Sequence, residues 1–101
     1  MIRHIVAWDL KEDTQDSERE DKIAYIRLQL ESLYPAVPQL KELKVVTTEI
    51  LKNRSNKEIL LNTLFEDEKS LEEYIVHPVH QEVVKNISHL LDNKSVVDFI
   101  E

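Results

Sequence analysis

The 101 residues contain no glycine and no cysteine. Phosphate-cradling loops of the GxGxxG or GxxxxGK type need glycine for positive φ and close backbone approach, so nucleotide binding through such loops is excluded. Without thiols there is no disulfide framework, thiolate zinc site, Fe–S cluster or thiol nucleophile, and only His, Asp and Glu remain as metal ligands. Basic charge is also short: 13 Lys and Arg stand against 20 Asp and Glu, for a net charge of −7. A nucleic-acid or anionic-membrane surface requires a concentrated basic face, and none is visible, so neither partner is expected. No apolar run approaches the roughly 18 residues that span a bilayer, and the N-terminus lacks signal-peptide character. The chain reads as one soluble, cytoplasmic domain over residues 1–101.

What is present is patterning. Residues 2–10 alternate, with Ile2, His4, Val6, Trp8 and Leu10 on one face and Arg3, Ile5, Ala7 and Asp9 on the other, which predicts a first strand. Ser17-Glu18-Arg19-Glu20 has the form of a capping box, and Ile23, Ile26, Leu30 and Leu33 then recur at helical spacing until Pro35 ends the helix near Tyr34. Leu40 to Leu51, rich in Val, Thr and Ile, predicts the second strand, and Asn53 to Asn56 a turn. Glu58 to Phe65 takes the third. Asp67 caps a helix carrying Leu71, Tyr74 and Ile75 that stops at His77, because Pro78 lacks the donor a continuing helix needs. Pro78 suits the first turn of another helix, whose stripe comprises His80, Val83, Val84, Ile87, Leu90 and Leu91. Ser95 to Ile100 forms the fourth strand.

The order β-α-β-β-α-α-β implies an α+β, ferredoxin-like protomer: a four-stranded antiparallel sheet with helices on one face. The first strand is apolar on both faces, and one set of helices covers only one. A twofold homodimer closing an α/β barrel, with the face bearing Val6 and Trp8 at the interface, is the expectation.

Chemistry must come from the histidines and their neighbours. His89 falls on the polar side of its helix and reads as surface. His4 lies between Ile2 and Val6, which suits either a hydrogen-bonded core histidine or a cavity lining. His77 at a helix end reads as a cap or linker. His80, in the first turn after Pro78, sits where a helix N-terminus disfavours added positive charge and burial acts the same way. A neutral imidazole able to accept a proton is therefore expected. Tyr74 precedes it across the break at Pro78, so the two side chains can converge, and a phenol there can hold a carbonyl oxygen. The H-P-x-H run lacks HExxH spacing and its glutamate, so no metal and no other cofactor is expected. No serine occupies a nucleophile turn.

His4 in its I-R-H-I-V strand, Leu71-Glu72-Glu73-Tyr74 leading into His77-Pro78-Val79-His80, and the terminal Val97-Asp98-Phe99 together resemble the stress-responsive dimeric α/β-barrel (Dabb) family. The resemblance implies a ferredoxin-like protomer paired into a barrel. It also implies, by analogy with the polyketide cyclases of one plant branch, His80 as general base, Tyr74 as oxyanion holder and His4 as cavity lining. Val6, Trp8 and His77 join them as candidate substrate contacts. Two positions depart from the family pattern: a further cyclase tyrosine falls near Leu30, and a glycine usual near the end of the second strand is Val46. The functional expectation is a homodimer binding a small, partly apolar molecule in the barrel interior, with histidine-based proton transfer open. The alternative is a non-catalytic interaction or stress-response module with a packed interior.

Overall fold

Alternating residues from Ile2 to Leu10 form β1 in the computed structural model, which describes residues 1–101. It is followed by α1 (Asp16–Glu31), a short turn of helix α2 (Leu33–Ala36), β2 (Glu42–Val46), β3 (Ile59–Phe65), α3 (Glu68–Val76), α4 (Pro78–Ile87), a 3-10 turn (Ser88–Leu90) and β4 (Leu91–Ile100). The strands form one antiparallel sheet in the order β2-β3-β1-β4. The expected β-α-β-β-α-α-β ferredoxin-like architecture is the one observed.

The core lies between one sheet face and the helices. Ile26 and Leu30 from α1, Leu33 and Val37 after it, Leu71 and Tyr74 from α3, and Val83 and Ile87 from α4 pack on Val45, Ile59, Leu61 and Phe65. Each closes apolar area worth roughly 1.5–3 kcal/mol per large side chain, an upper bound before ordering costs. Local chemistry sets several boundaries. Asp67 accepts the backbone N–H of Ser70 at 2.8 Å and starts α3. His77 ends α3 and caps α4, with Nδ1 accepting the N–H of Val79 at 3.1 Å, while Pro78 occupies the first turn.

Four expectations need correction. The capping box at Ser17 does not form: α1 begins at Asp16 with Gln15 as its cap, and no side chain bonds the first turn there. β2 stops at Val46 rather than continuing to Leu51. Thr47 leaves the ladder because its N–H and hydroxyl are held by Glu49 and Arg27, each at 3.0 Å. α4 ends at Ile87, so Leu90 and Leu91 are not part of its stripe, and β4 starts at Leu91, four residues before the expected Ser95.

The fourth concerns which sheet face is bare. Val6 is only 4% exposed, and Trp8 packs against the same core, so this side of β1 is the helix-covered one. The uncovered face carries Arg3, Ile5 and Ala7, aligned with Asn62 and Leu60 on one side and Phe99, Val97 and Ser95 on the other. Val97 and Phe99 are 57% and 43% exposed.

The β1–β4 pairing slips between Ala7 and Asp9, where one extra residue sits on β4. Asn93 there has φ 53°, a left-handed conformation that Asn tolerates better than other residues with a Cβ. Its N–H reaches Asp92 and its amide reaches Asp9, at 2.9 and 3.1 Å. The bulge shifts the phase of β4, so that Leu91 is buried opposite Leu10 while Val96 and Asp98 pair with Val6 and His4.

Candidate functional site

Antiparallel register brings His4, Thr63 and Asp98 side by side on the helix-covered face. The Thr63 hydroxyl donates to the His4 carbonyl oxygen at 2.8 Å, fixing the strand beneath the ring. His4 is 8% exposed, and its Nδ1–H donates to the Asp98 carboxylate. A carboxylate only accepts, so the ring nitrogen facing Asp98 is the one that carries a proton.

The α3–α4 junction supplies the other half. The break at Pro78 turns His80 back so that its ring lies 4.4 Å from the Tyr74 ring, centroid to centroid. His80 Nδ1 donates to the Ile75 carbonyl at 2.9 Å, satisfying one of the acceptors left open where α3 ends. A carbonyl can only accept, so in the neutral ring Nε2 carries the lone pair. Tyr74 in turn lies 6.2 Å from His4 and 4.9 Å from Phe65.

Electrostatics separates the groups. Burial is the largest influence on His80 and lowers its pKa below the ordinary histidine value; the Ile75 hydrogen bond opposes this, and the nearby charges of His4, Lys94 and His77 add to the lowering. The imidazole is therefore neutral at pH 7 and competent to accept a proton. Burial raises the pKa of Tyr74 far above the usual phenol, so it stays a hydrogen-bond donor. An imidazole able to accept a proton and a phenol able to donate a hydrogen bond thus lie ring beside ring.

The six expected site residues do not share one role. His4, Tyr74 and His80 converge. His77 lies beside them in sequence but its Nδ1 is occupied as the α4 cap. Val6 is enclosed in the core and presents no free surface. Trp8 lines a cavity of about 290 Å³ along the seam between α4 and β4, with Val84, Ile87, Leu91 and Lys94 among its walls. His80 lies one helical turn before Val84 on the same helix, outside the cavity's lining. His4, Tyr74 and His80 themselves line none of the five principal cavities.

Location is corrected as well. The three rings lie between the sheet and the helices of one protomer, on the side away from the uncovered face, and not in a space that two facing sheets would enclose. Sequence reasoning missed Asp98 as the partner of His4, although the Val97-Asp98-Phe99 segment contained it. The signal that finds it is register: once Ile2 pairs with Ile100, His4 must pair with Asp98. Leu30 is a core residue of α1, and Val46 ends β2.

Comparisons with known proteins agree with the fold. Three solved structures, each matched over 99% of this chain, illustrate the fold. A dimeric protein of unknown function with a ferredoxin-like fold from Bacteroides fragilis has a TM-score of 0.87 at 19% identity, with 95% of its chain covered. A dimeric ferredoxin-like protein of unknown function from Thermobifida fusca has 0.81 at 21%, with 90% covered. The hydroxynitrile lyase of Passiflora edulis has 0.79 at 18%, with 92% covered. Among curated proteins no sequence matches. The family model of the Stress responsive A/B Barrel Domain matches residues 2–101, and the chain belongs to that family.

Proposed function

We propose that the protein is a homodimer in which each protomer binds a small, partly apolar carbonyl compound along the α4–β4 seam and moves a proton with His80. The single observation that carries this reading is the tilted ring contact of Tyr74 with His80, centroids 4.4 Å apart, a buried donor beside a neutral imidazole whose Nδ1 is already engaged. In the proposed step the Nε2 lone pair takes the proton next to the carbonyl, and the Tyr74 hydroxyl holds the oxygen on which charge develops. His4, oriented by Asp98, packs edge-on against the Tyr74 ring from the sheet side. The apolar part of the ligand rests on Trp8, Val84 and Leu91. Self-association is supported by the uncovered apolar face and by the dimeric description of the similar structures from Bacteroides fragilis and Thermobifida fusca.

The fold by itself decides no chemistry, since one architecture carries unrelated reactions. The direct test is hydrogen exchange: incubation of acetophenone with the protein in D₂O, followed by NMR of its methyl protons. Exchange above the buffer rate that disappears in His80→Ala supports the reading. Exchange retained in that variant ends the general-base role, and no exchange with any small aryl ketone or aldehyde ends the catalytic reading.

One observation favours a second, non-catalytic reading. Tyr74 is 1% exposed and the ring cluster lines none of the principal cavities, as expected of side chains that serve packing. Under this reading saturable ketone binding at the seam is absent, and the three rings contribute to stability alone.

A further inference from the structure

A second cavity, of about 490 Å³, lies away from the rings and shares no residue with the seam around Trp8. It is enclosed by Arg19 and Ile23 of α1, Asp9 near the end of β1, and the connection between β2 and β3 from Thr47 to Glu58. That connection is unusual in this acidic chain: Lys52, Arg54 and Lys57 occur with no acidic residue between Glu49 and Glu58. Two of the three, Lys52 and Lys57, line the cavity and form none of the chain's ion pairs.

The other charged side chains of the cavity already make hydrogen bonds within the chain. Arg19 is paired with Glu58, whose second oxygen accepts the Leu10 N–H at 3.1 Å. Asp9 accepts from the amide of Asn93. The charged groups that line the space without an ion-pair partner are therefore the two ammonium groups and the Asp9 carboxylate, a local balance of one positive charge, together with the hydroxyl-bearing Thr47, Thr48 and Ser55 and the amide of Asn56.

We infer that this cavity binds a small phosphorylated molecule, its phosphate held by Lys52 and Lys57 and its carbon skeleton by Ile23 and Ile50. A carboxylate is best met by the planar fork of an arginine, and Arg19 is already taken by Glu58; two ammonium groups, each with three donors, and several hydroxyl-bearing side chains line the space, a donor set that suits a tetrahedral dianion. The volume falls within the range of small-molecule sites and far exceeds that of phosphate alone, leaving room for an organic portion. Glycine is not needed here because side chains, not a backbone nest, supply the donors. The net charge of −7 opposes an anion at long range, but screening over about 8 Å at physiological salt lets the local lysines dominate within the cavity.

The test is an NMR titration of ¹⁵N-labelled protein at constant ionic strength with glycerol 3-phosphate, inorganic phosphate and malonate. Saturable shifts at Thr48, Lys52, Ser55 and Lys57 with glycerol 3-phosphate, weaker with inorganic phosphate and absent with malonate, are expected. The double variant Lys52→Gln with Lys57→Gln, folded as judged by unchanged amide positions elsewhere, is expected to bind at least tenfold more weakly. Equal binding of malonate overturns the assignment to phosphate. Undiminished binding by the double variant, or shifts that only track ionic strength, overturns the site.

Discussion

The imidazole of His4 and the carboxylate of Asp98 are joined across the β1–β4 pair, 94 residues apart in sequence and directly opposed in register. The pair orients one of the three rings of the candidate site and ties the outer strand to the centre of the sheet. Its removal is expected to be felt through burial more than through charge. Asp98→Ala leaves the His4 Nδ1–H without a partner in a nearly enclosed position, which costs about 1–3 kcal/mol. Urea unfolding of the variant, with Asp98→Asn as the shape-conserving comparison, measures this. A midpoint unchanged in Asp98→Ala would show that the bond contributes nothing net.

His80 gives a pH dependence with a defined sign. Its folded pKa lies below the unfolded value near 6.5, so in the window below that value the unfolded chain takes up a proton that the folded chain refuses. Stability is therefore fully present above about 6.5 and falls as pH drops below that value, until the folded pKa is passed. His80→Gln is expected to flatten this limb of the stability curve. NMR titration of the His80 ring checks the cause directly, because a ring protonated at pH 7 contradicts both the pKa direction and its role as a base.

Tyr74 separates packing from chemistry. Its ring touches Phe65 and His80, so Tyr74→Ala opens a cavity under the helices and is expected to cost about 3–5 kcal/mol, as other large aromatic truncations do. Tyr74→Phe keeps the ring and removes only the hydroxyl, with an expected change below about 1.5 kcal/mol. Under the proposed reaction the Phe variant, stable by thermal unfolding, loses ketone proton exchange.

The uncovered face predicts the oligomeric state and which substitutions disturb it. Light scattering at micromolar concentration is expected to give twice the 11.9 kDa chain mass. Replacing Phe99 by Glu together with Val97 by Lys, both on the uncovered face, is expected to produce monomers. Val96→Lys, one residue away but on the helix side, is expected to leave the dimer intact. A monomeric wild type refutes association through this face.

Asn93 carries the left-handed turn of the bulge in a chain without glycine. A β-branched residue there opposes φ 53° directly, so Asn93→Val is expected to lose about 1–2 kcal/mol, whereas Asn93→Gly stays within a few tenths of the parent. Chemical denaturation of the two variants distinguishes backbone conformation from loss of the amide contact to Asp9, because both remove that contact.

Local signals were legible in the sequence where one residue type forces one geometry. Alternation marked β1 from Ile2 to Leu10, Asp67 marked the start of α3, and Pro78 both ended one helix and opened the next, which is how the approach of Tyr74 to His80 followed from sequence. Signals with competing partners misled. Ser17 has capping chemistry, yet the helix starts one residue earlier; Thr47 has strand propensity, yet Arg27 and Glu49 hold it in a turn. Long-range facts were out of reach: alternation in β1 gives two faces but does not say which one the helices choose. Val6 and Trp8 were accordingly assigned to the wrong side, and the ring cluster with them. The pairing of His4 with Asp98 and the lysine-lined cavity depend on register and on a loop's path, neither of which a local pattern encodes.

The hydrogen bond from His80 to the Ile75 carbonyl has a mechanical consequence. It fastens the last turn of α3 to the first turn of α4, so the group proposed to move protons also braces the joint that His77 and Pro78 make between the two helices. Chemistry and posture at this joint are then one variable: whatever draws the Nδ1 proton away slackens the hinge, and whatever spreads the hinge turns the ring. Substitutions that silence the base without an amide or ring donor in its place therefore change the shape of the joint as well as its reactivity.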